Sequence, residues 1–256
     1  MQYVNLGLLI LVFYTVYYVI ERLKPIIRLP QQFALTYDQL SVKYKRVFSQ
    51  AVWLMLGGTL LLTVVLKYLL YFLLLFRLSF LPDAVAAILP PEIAIWLLAF
   101  VYAFILAFYI VSTFHYYKLL TDWEEYLYYV NVRLRFDIVY YFNYIGRMAS
   151  FALILITYMF FDWFYSFGSE EIKINDFWGL GTTKYAYVSM VDVYEMDAHT
   201  DILSRTYEMP YYMIKFEDGA YWNSLTQGYP SFEQNKATVQ QYVVPNFKGK
   251  VIKVGP

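Results

Sequence analysis

Long runs of apolar residues separated by short polar connections fill the first 165 positions, and beyond them apolar and polar residues begin to alternate. The longest run, Ala51–Phe76, has 26 residues and one charge, Lys67. As a helix it would be about 39 Å long, more than the roughly 30 Å of bilayer hydrocarbon. A helix that is apolar on every face has no place on the surface of a small soluble domain, so the run is read as a membrane span. Three further runs, near 3–20, 93–114 and 138–161, are read the same way. Residues 3–20 lack the basic flank and small-residue cleavage site of a secretory signal and are read as a retained first span. The predicted architecture is an α-helical integral membrane region of about four spans over 1–165. A small antiparallel β-rich extramembrane domain, closed by one helix, follows over 166–256.

Local signals refine the boundaries. Thr36 and Gln39 have the spacing of a capping box, so a helix should begin there and run through Tyr44 and Phe48 into the second span. Pro82, Pro90 and Pro91 make Arg77–Glu92 a connection. In the third span Ala99, Ala103 and Ala107 recur every fourth residue, a helix-packing pattern that lets a neighbouring backbone approach closely, although alanine is also simply common in spans. Residues 116–137 are too polar to cross and are read as a helical extension that turns back before Asp137.

Charge then suggests an orientation. The 21–50 connection carries six basic residues against two acidic ones, and 116–137 adds Lys118, Arg133 and Arg135, while the 77–92 connection has Arg77 alone. By the positive-inside rule the first two are cytoplasmic and the β-rich domain is outside.

In that domain Ile172 and Ile174 share a strand face, and Lys184–Met196 is rich in β-branched and aromatic residues. Tyr211–Phe216 and Ala220–Ser224 flank Asp218-Gly219, a strong short-range hairpin signal. Ser231 and Gln234 have capping-box spacing and open a helix that carries Phe232, Val239 and Val243 on one face before Pro245. Four or five antiparallel strands are expected. The Ile172-x-Ile174 strand, the Lys184-Tyr-x-Tyr187 strand, the Phe216–Trp222 segment and the terminal helix together resemble the bacterial pleckstrin-homology-like domains of the YcxB-like sort, over residues 168–245. That resemblance implies a small bent sheet capped by a helix, used for docking rather than catalysis, and a cytoplasmic location for the domain. The charge count favours the opposite side, and both sides stay open.

Composition narrows the chemistry. There is no cysteine, which removes disulfides, thiolate metal sites and cysteine nucleophiles. Basic and acidic residues balance at 20 each, so no global field recruits nucleic acid. Twenty-nine tyrosines suit the membrane–water interface. No phosphate-cradling glycine loop, nucleophile elbow or His-Glu-x-x-His helix is present, and no catalytic residue or cofactor is expected. Lys67 is the sharpest intramembrane polar candidate: it either faces a partner, cavity or ion path, or lies near one interface with its chain snorkelling. Arg147, with Asn143 one turn earlier, could line a polar seam or reach the inner headgroups. His115, Asp122 and Glu125 could hold a hard divalent ion, against the plainer reading of a solvated helix face. Glu195, Asp197, His199 and Asp201 form an acidic patch that could hold a cation weakly or simply be solvated.

Three functions follow. The first is a non-enzymatic membrane protein of the bacterial inner membrane, with a docking or regulatory β domain. It would be a structural or regulatory subunit of an envelope assembly such as a secretion machine, and its partners would be lipids and other membrane proteins or itself. The second is an oligomeric transporter or channel with Lys67 and Arg147 along a polar path. The third is a membrane-embedded lipid enzyme using the His115–Glu125 cluster.

Overall fold

A computed structural model describes residues 35–80, 84–138, 146–178, 181–200, 206–208, 210–225 and 232–254, together with residues 7, 10, 11, 13–15, 17, 18 and 21; of 146–148, 199–200 and 232–233 it describes the backbone alone. The expected first span therefore falls largely outside the described residues, as does Asn143. Two compact units divide the chain. The helical unit takes Gln2–Phe72 and Trp96–Tyr158, and the β-rich unit takes Leu73–Ile95 and Met159–Pro256.

Helix α1 runs from Tyr37 to Leu78, 42 residues. The capping box forms reciprocally: the Thr36 N–H donates to Gln39 Oε1 at 3.0 Å and the Gln39 N–H to Thr36 Oγ1 at 3.5 Å. Helix α2, Glu92–Leu119, has 28 residues. Both are long and apolar enough to cross a membrane. A third apolar stretch, Ala149–Asp162, is shorter; it belongs to α4, Gly146–Asp162.

The expected helical extension beyond α2 forms, but a sharp bend separates it from α2. Leu120 has φ +41°, a 3-10 turn spans Leu120–Asp122, and α3, Trp123–Leu134, starts anew. No glycine or proline marks the bend. Burial drives it: α3 packs Trp123, Tyr126, Tyr129 and Val130 with Leu40 and Tyr44 of α1 into one apolar cluster. A left-handed leucine costs about 1–2 kcal/mol, less than burying even two large aromatic side chains returns.

In the β-rich unit, β1 (Ala86–Ile88) pairs antiparallel with β2 (Phe164–Phe167), Ala86 opposite Phe167 and Ile88 opposite Tyr165. Strands β3 (Glu171–Asn175) and β4 (Thr183–Ala186) complete the first sheet in the order β1-β2-β3-β4. The domain thus draws on the 77–92 connection as well as on the C-terminal stretch, and its β2 straddles the expected 165/166 boundary. Strands β5 (Met190–Met196), β6 (His199–Thr200), β7 (Thr206–Tyr207), β8 (Tyr211–Phe216) and β9 (Tyr221–Asn223) follow, then α5 (Phe232–Tyr242) and β10 (Ile252–Val254). The second sheet has the order β10-β5-β8-β9, and among the described residues β6 pairs with β7 alone. Ten strands among the described residues replace the expected four or five, and the β10–β5 pair is parallel.

The hairpin at Asp218-Gly219 forms as expected. Gly219 has φ +82°, which a residue without a Cβ adopts freely, and its N–H donates to Phe216 O at 3.0 Å. Both sheets and α5 share one core, in which Ile88, Tyr165, Phe167, Ile172, Trp222 and Val239 are buried.

Candidate functional site

Polar chemistry in the helical unit gathers at the basic end of α1. Lys43 Nζ lies 3.1 Å from Asp122 Oδ2 and 3.0 Å from Glu125 Oε1, and the Tyr44 hydroxyl donates to the same Glu125 oxygen at 3.0 Å. The carboxylates proposed as metal ligands therefore hold Lys43. Asp122 occupies the N-cap of α3 but makes no capping bond there, because its side chain is turned to the lysine.

His115 is apart from this pair. It is 1% exposed, its Nδ1 lies 2.9 Å from Val111 O, and its ring stacks on Tyr126. A carbonyl only accepts, so Nδ1 carries the proton, and Nε2 is buried without a hydrogen-bond partner among the described residues. The imidazole lines a cavity of about 310 Å³ whose other walls include Phe48, Met55, Phe108, Trp123 and Val130. No group of three His, Asp or Glu side chains arranged to hold a metal occurs among the described residues.

Ala99, Ala103 and Ala107 are each at most 1% exposed. A Cβ built on Gly58 of α1 would sit 3.6 Å from the Ala107 Cβ, so the two long helices touch where both carry small residues. Near the start of α2, Trp96 faces Lys67, whose Nζ is 5.4 Å from the centre of the indole and 4.7 Å from that of Tyr68. The ammonium sits on aromatic faces, in the surroundings of an interfacial anchor. For Arg147 only the backbone, in the first turn of α4, is described.

The β-rich unit holds a buried network that the sequence had not singled out. Arg77, 1% exposed, places Nη2 3.1 Å from Asp162 Oδ1, with its guanidinium 4.7 Å from the centre of the Phe164 ring. Asp162 Oδ2 accepts from Asn175 Nδ2 at 2.8 Å. Thus the last turn of α1, the end of α4 and strand β3 meet through one carboxylate. The only signal in the sequence was two opposite charges, each at the end of an apolar run.

On the second sheet, inward Tyr212, Ile214 and Phe216 alternate with outward Tyr211, Met213 and Lys215. Register sets Tyr194 and Asn223 beside Met213, Ile252 beside Tyr194, and Met196 beside Tyr211. The outward face therefore carries tyrosines, methionines and Ile252 in neighbouring rows, with Tyr221 58% and Ile252 41% exposed. In the acidic patch, Glu195 faces Lys236 and Lys253 at 3.6 Å each; Asp201 lies outside the described residues, and only the backbone of His199 is described. Asp218 serves the turn, accepting from the Ala220 N–H at 2.9 Å. Burial pushes the Tyr187 phenol up to about 12 while its hydroxyl donates to Gly168 O at 2.9 Å.

No known family model, curated protein or solved structure matches the chain.

Proposed function

We propose that the chain is a non-enzymatic integral membrane protein of the bacterial inner membrane, whose helical unit anchors a β-rich docking unit within an envelope assembly. The observation that carries this reading is the outward face of the β10-β5-β8-β9 sheet. A solvated sheet face ordinarily alternates polar residues outward, whereas here Tyr194, Tyr211, Tyr221, Met196, Met213 and Ile252 take most of those positions in register, beside Asp192, Lys215 and Asn223. Contiguous apolar patches of this kind mark protein contacts. The packing of α5 onto the sheets also fits the helix-capped sheet that the pleckstrin-homology-like resemblance implies, and that resemblance implies docking. Four spans with the basic ends of α1 and α3 in the cytoplasm put the β-rich unit on the far side on this reading. Lys67, seated on Trp96 and Tyr68, acts as an interfacial anchor on this reading rather than as part of an ion path.

A photo-crosslinking residue placed singly at Met213 and Ile252 in cells tests the assignment. Discrete adducts with a protein partner are expected from both, and none from Lys184 on the edge of the other sheet. Absence of adducts at 213 and 252, or equal labelling from 184, refutes docking through this face.

A further inference from the structure

The two long helices form a second feature on the side of their contact away from His115. On α1, Arg46, Gln50, Leu54, Gly58 and Leu62 follow one another at intervals of four, so they form a single ridge. On α2, Ala107, Ile110, Phe114 and Lys118 form the opposing wall at intervals of three and four. Between them runs a groove in two sections. The section at the basic end, about 490 Å³, is lined by Arg46, Ser49, Gln50, Trp53 and Lys118. The deeper one, about 350 Å³, is lined by Gly58, Leu62, Ala107 and Ile110. Leu54 and Phe114 line both, so the sections are continuous.

The charges at the head of this groove differ from those beside them. Lys43 is neutralised by two carboxylates. Among the described residues, no ion pair engages Arg46 or Lys118. Two cations with no ion-pair partner among the described residues, a hydroxyl and an amide thus stand over an apolar channel. From Leu54 to Leu62 the channel descends about 12 Å, close to the depth of one leaflet.

We infer that this groove binds one anionic glycerophospholipid of the leaflet at the basic helix ends. The phosphate lies between the Arg46 guanidinium, whose fork matches phosphate oxygens, and the Lys118 ammonium. Ser49 and Gln50 supply neutral hydrogen-bond donors, and Trp53 sits at headgroup level as interfacial tryptophans do. One acyl chain lies along Leu54 and Phe114 onto the small floor at Gly58 and Ala107. Charge complementarity selects an anionic headgroup over a zwitterionic one, because the latter brings its own cation to a site that already has two.

The inference rests on the membrane placement, so carbonate extraction of cell membranes comes first; release of the chain into the soluble fraction would overturn that placement itself. With the full chain in mild detergent, native mass spectrometry then compares dioleoyl phosphatidylglycerol with dioleoyl phosphatidylcholine at equal concentration. Binding of the glycerol lipid about tenfold tighter is expected, falling to the choline level in Arg46→Gln/Lys118→Gln. Lys45→Gln, which removes a neighbouring charge about 100° round the helix from Arg46, should keep the preference within about twofold. Equal binding of both lipids by the unaltered chain, a preference that survives the double substitution, or an equal loss in Lys45→Gln overturns the site.

Discussion

Lys43 in the helical unit and Arg77 in the β-rich unit make similar ion pairs under opposite conditions. The Lys43 side chain is 45% exposed, as is that of Asp122, and water can replace either partner. The Arg77 side chain is 1% exposed and that of Asp162 16%, with a third group, Asn175, on the same carboxylate. An exposed pair contributes about 0–1 kcal/mol, whereas removing one member of a buried pair costs about 3–5 kcal/mol. The first trims the charge pattern of a helix end. The second determines whether three elements stay joined.

Asp162→Asn is therefore expected to have the largest effect, about 3 kcal/mol of destabilisation, read by denaturant titration with amide hydrogen exchange in Phe164–Phe167. A loss below about 1 kcal/mol would mean that the network is solvated after all. Ala103→Leu comes next: the site is 0% exposed, and a larger side chain there should cost about 1–3 kcal/mol in thermal melts of the detergent-solubilised chain. Unchanged melting would show that the alanine face has room to spare.

Tyr187 gives a smaller, pH-dependent effect. Its phenol is held neutral in the fold up to about 12, against about 10 in an unfolded chain. The contribution is complete below pH 10 and disappears as pH rises to about 12, because the unfolded state loses its proton first. Tyr187→Phe should cost about 1 kcal/mol at neutral pH and reduce the alkaline decline between pH 10 and 12. Retention of the full decline in the variant would assign it to other tyrosines. Lys43→Met should be smallest, below about 1 kcal/mol and smaller again in 1 M salt. A salt-independent loss of 2 kcal/mol or more would place Lys43 with Arg77 rather than opposite it.

How far each region could be read in advance follows from the range of its determinants. The start of α1 was legible because Thr36 and Gln39 act over three residues, and the hairpin because Asp218-Gly219 carries its own backbone preference. The bend at Leu120 was not, since its cause is an aromatic cluster assembled from Leu40, Tyr44 and α3. Strand β2, just past the expected 138–161 span, was not read as a strand because Phe-Tyr-Ser-Phe is buried on both faces, which removes the alternation that normally betrays one. Strand β1 is three residues, Ala-Ala-Ile, whose partner lies more than seventy positions later. Among the candidate sites, the alanine face followed from spacing alone. Pairing of Arg77 with Asp162 needed the third dimension, and so did the two walls of the lipid groove.

The β1–β2 pairing also constrains topology through parity. Backbone hydrogen bonds cannot pass through a bilayer, so Ile88 and Phe164 must lie on one side of it. The chain between them therefore crosses an even number of times, whichever way the protein is oriented and however its lysines and arginines are counted. If α2 goes through once, the stretch that ends at Asp162 has to return. Any experiment that locates one of these two strands locates the other. Reversing the protein in the membrane would have to carry both connections across together.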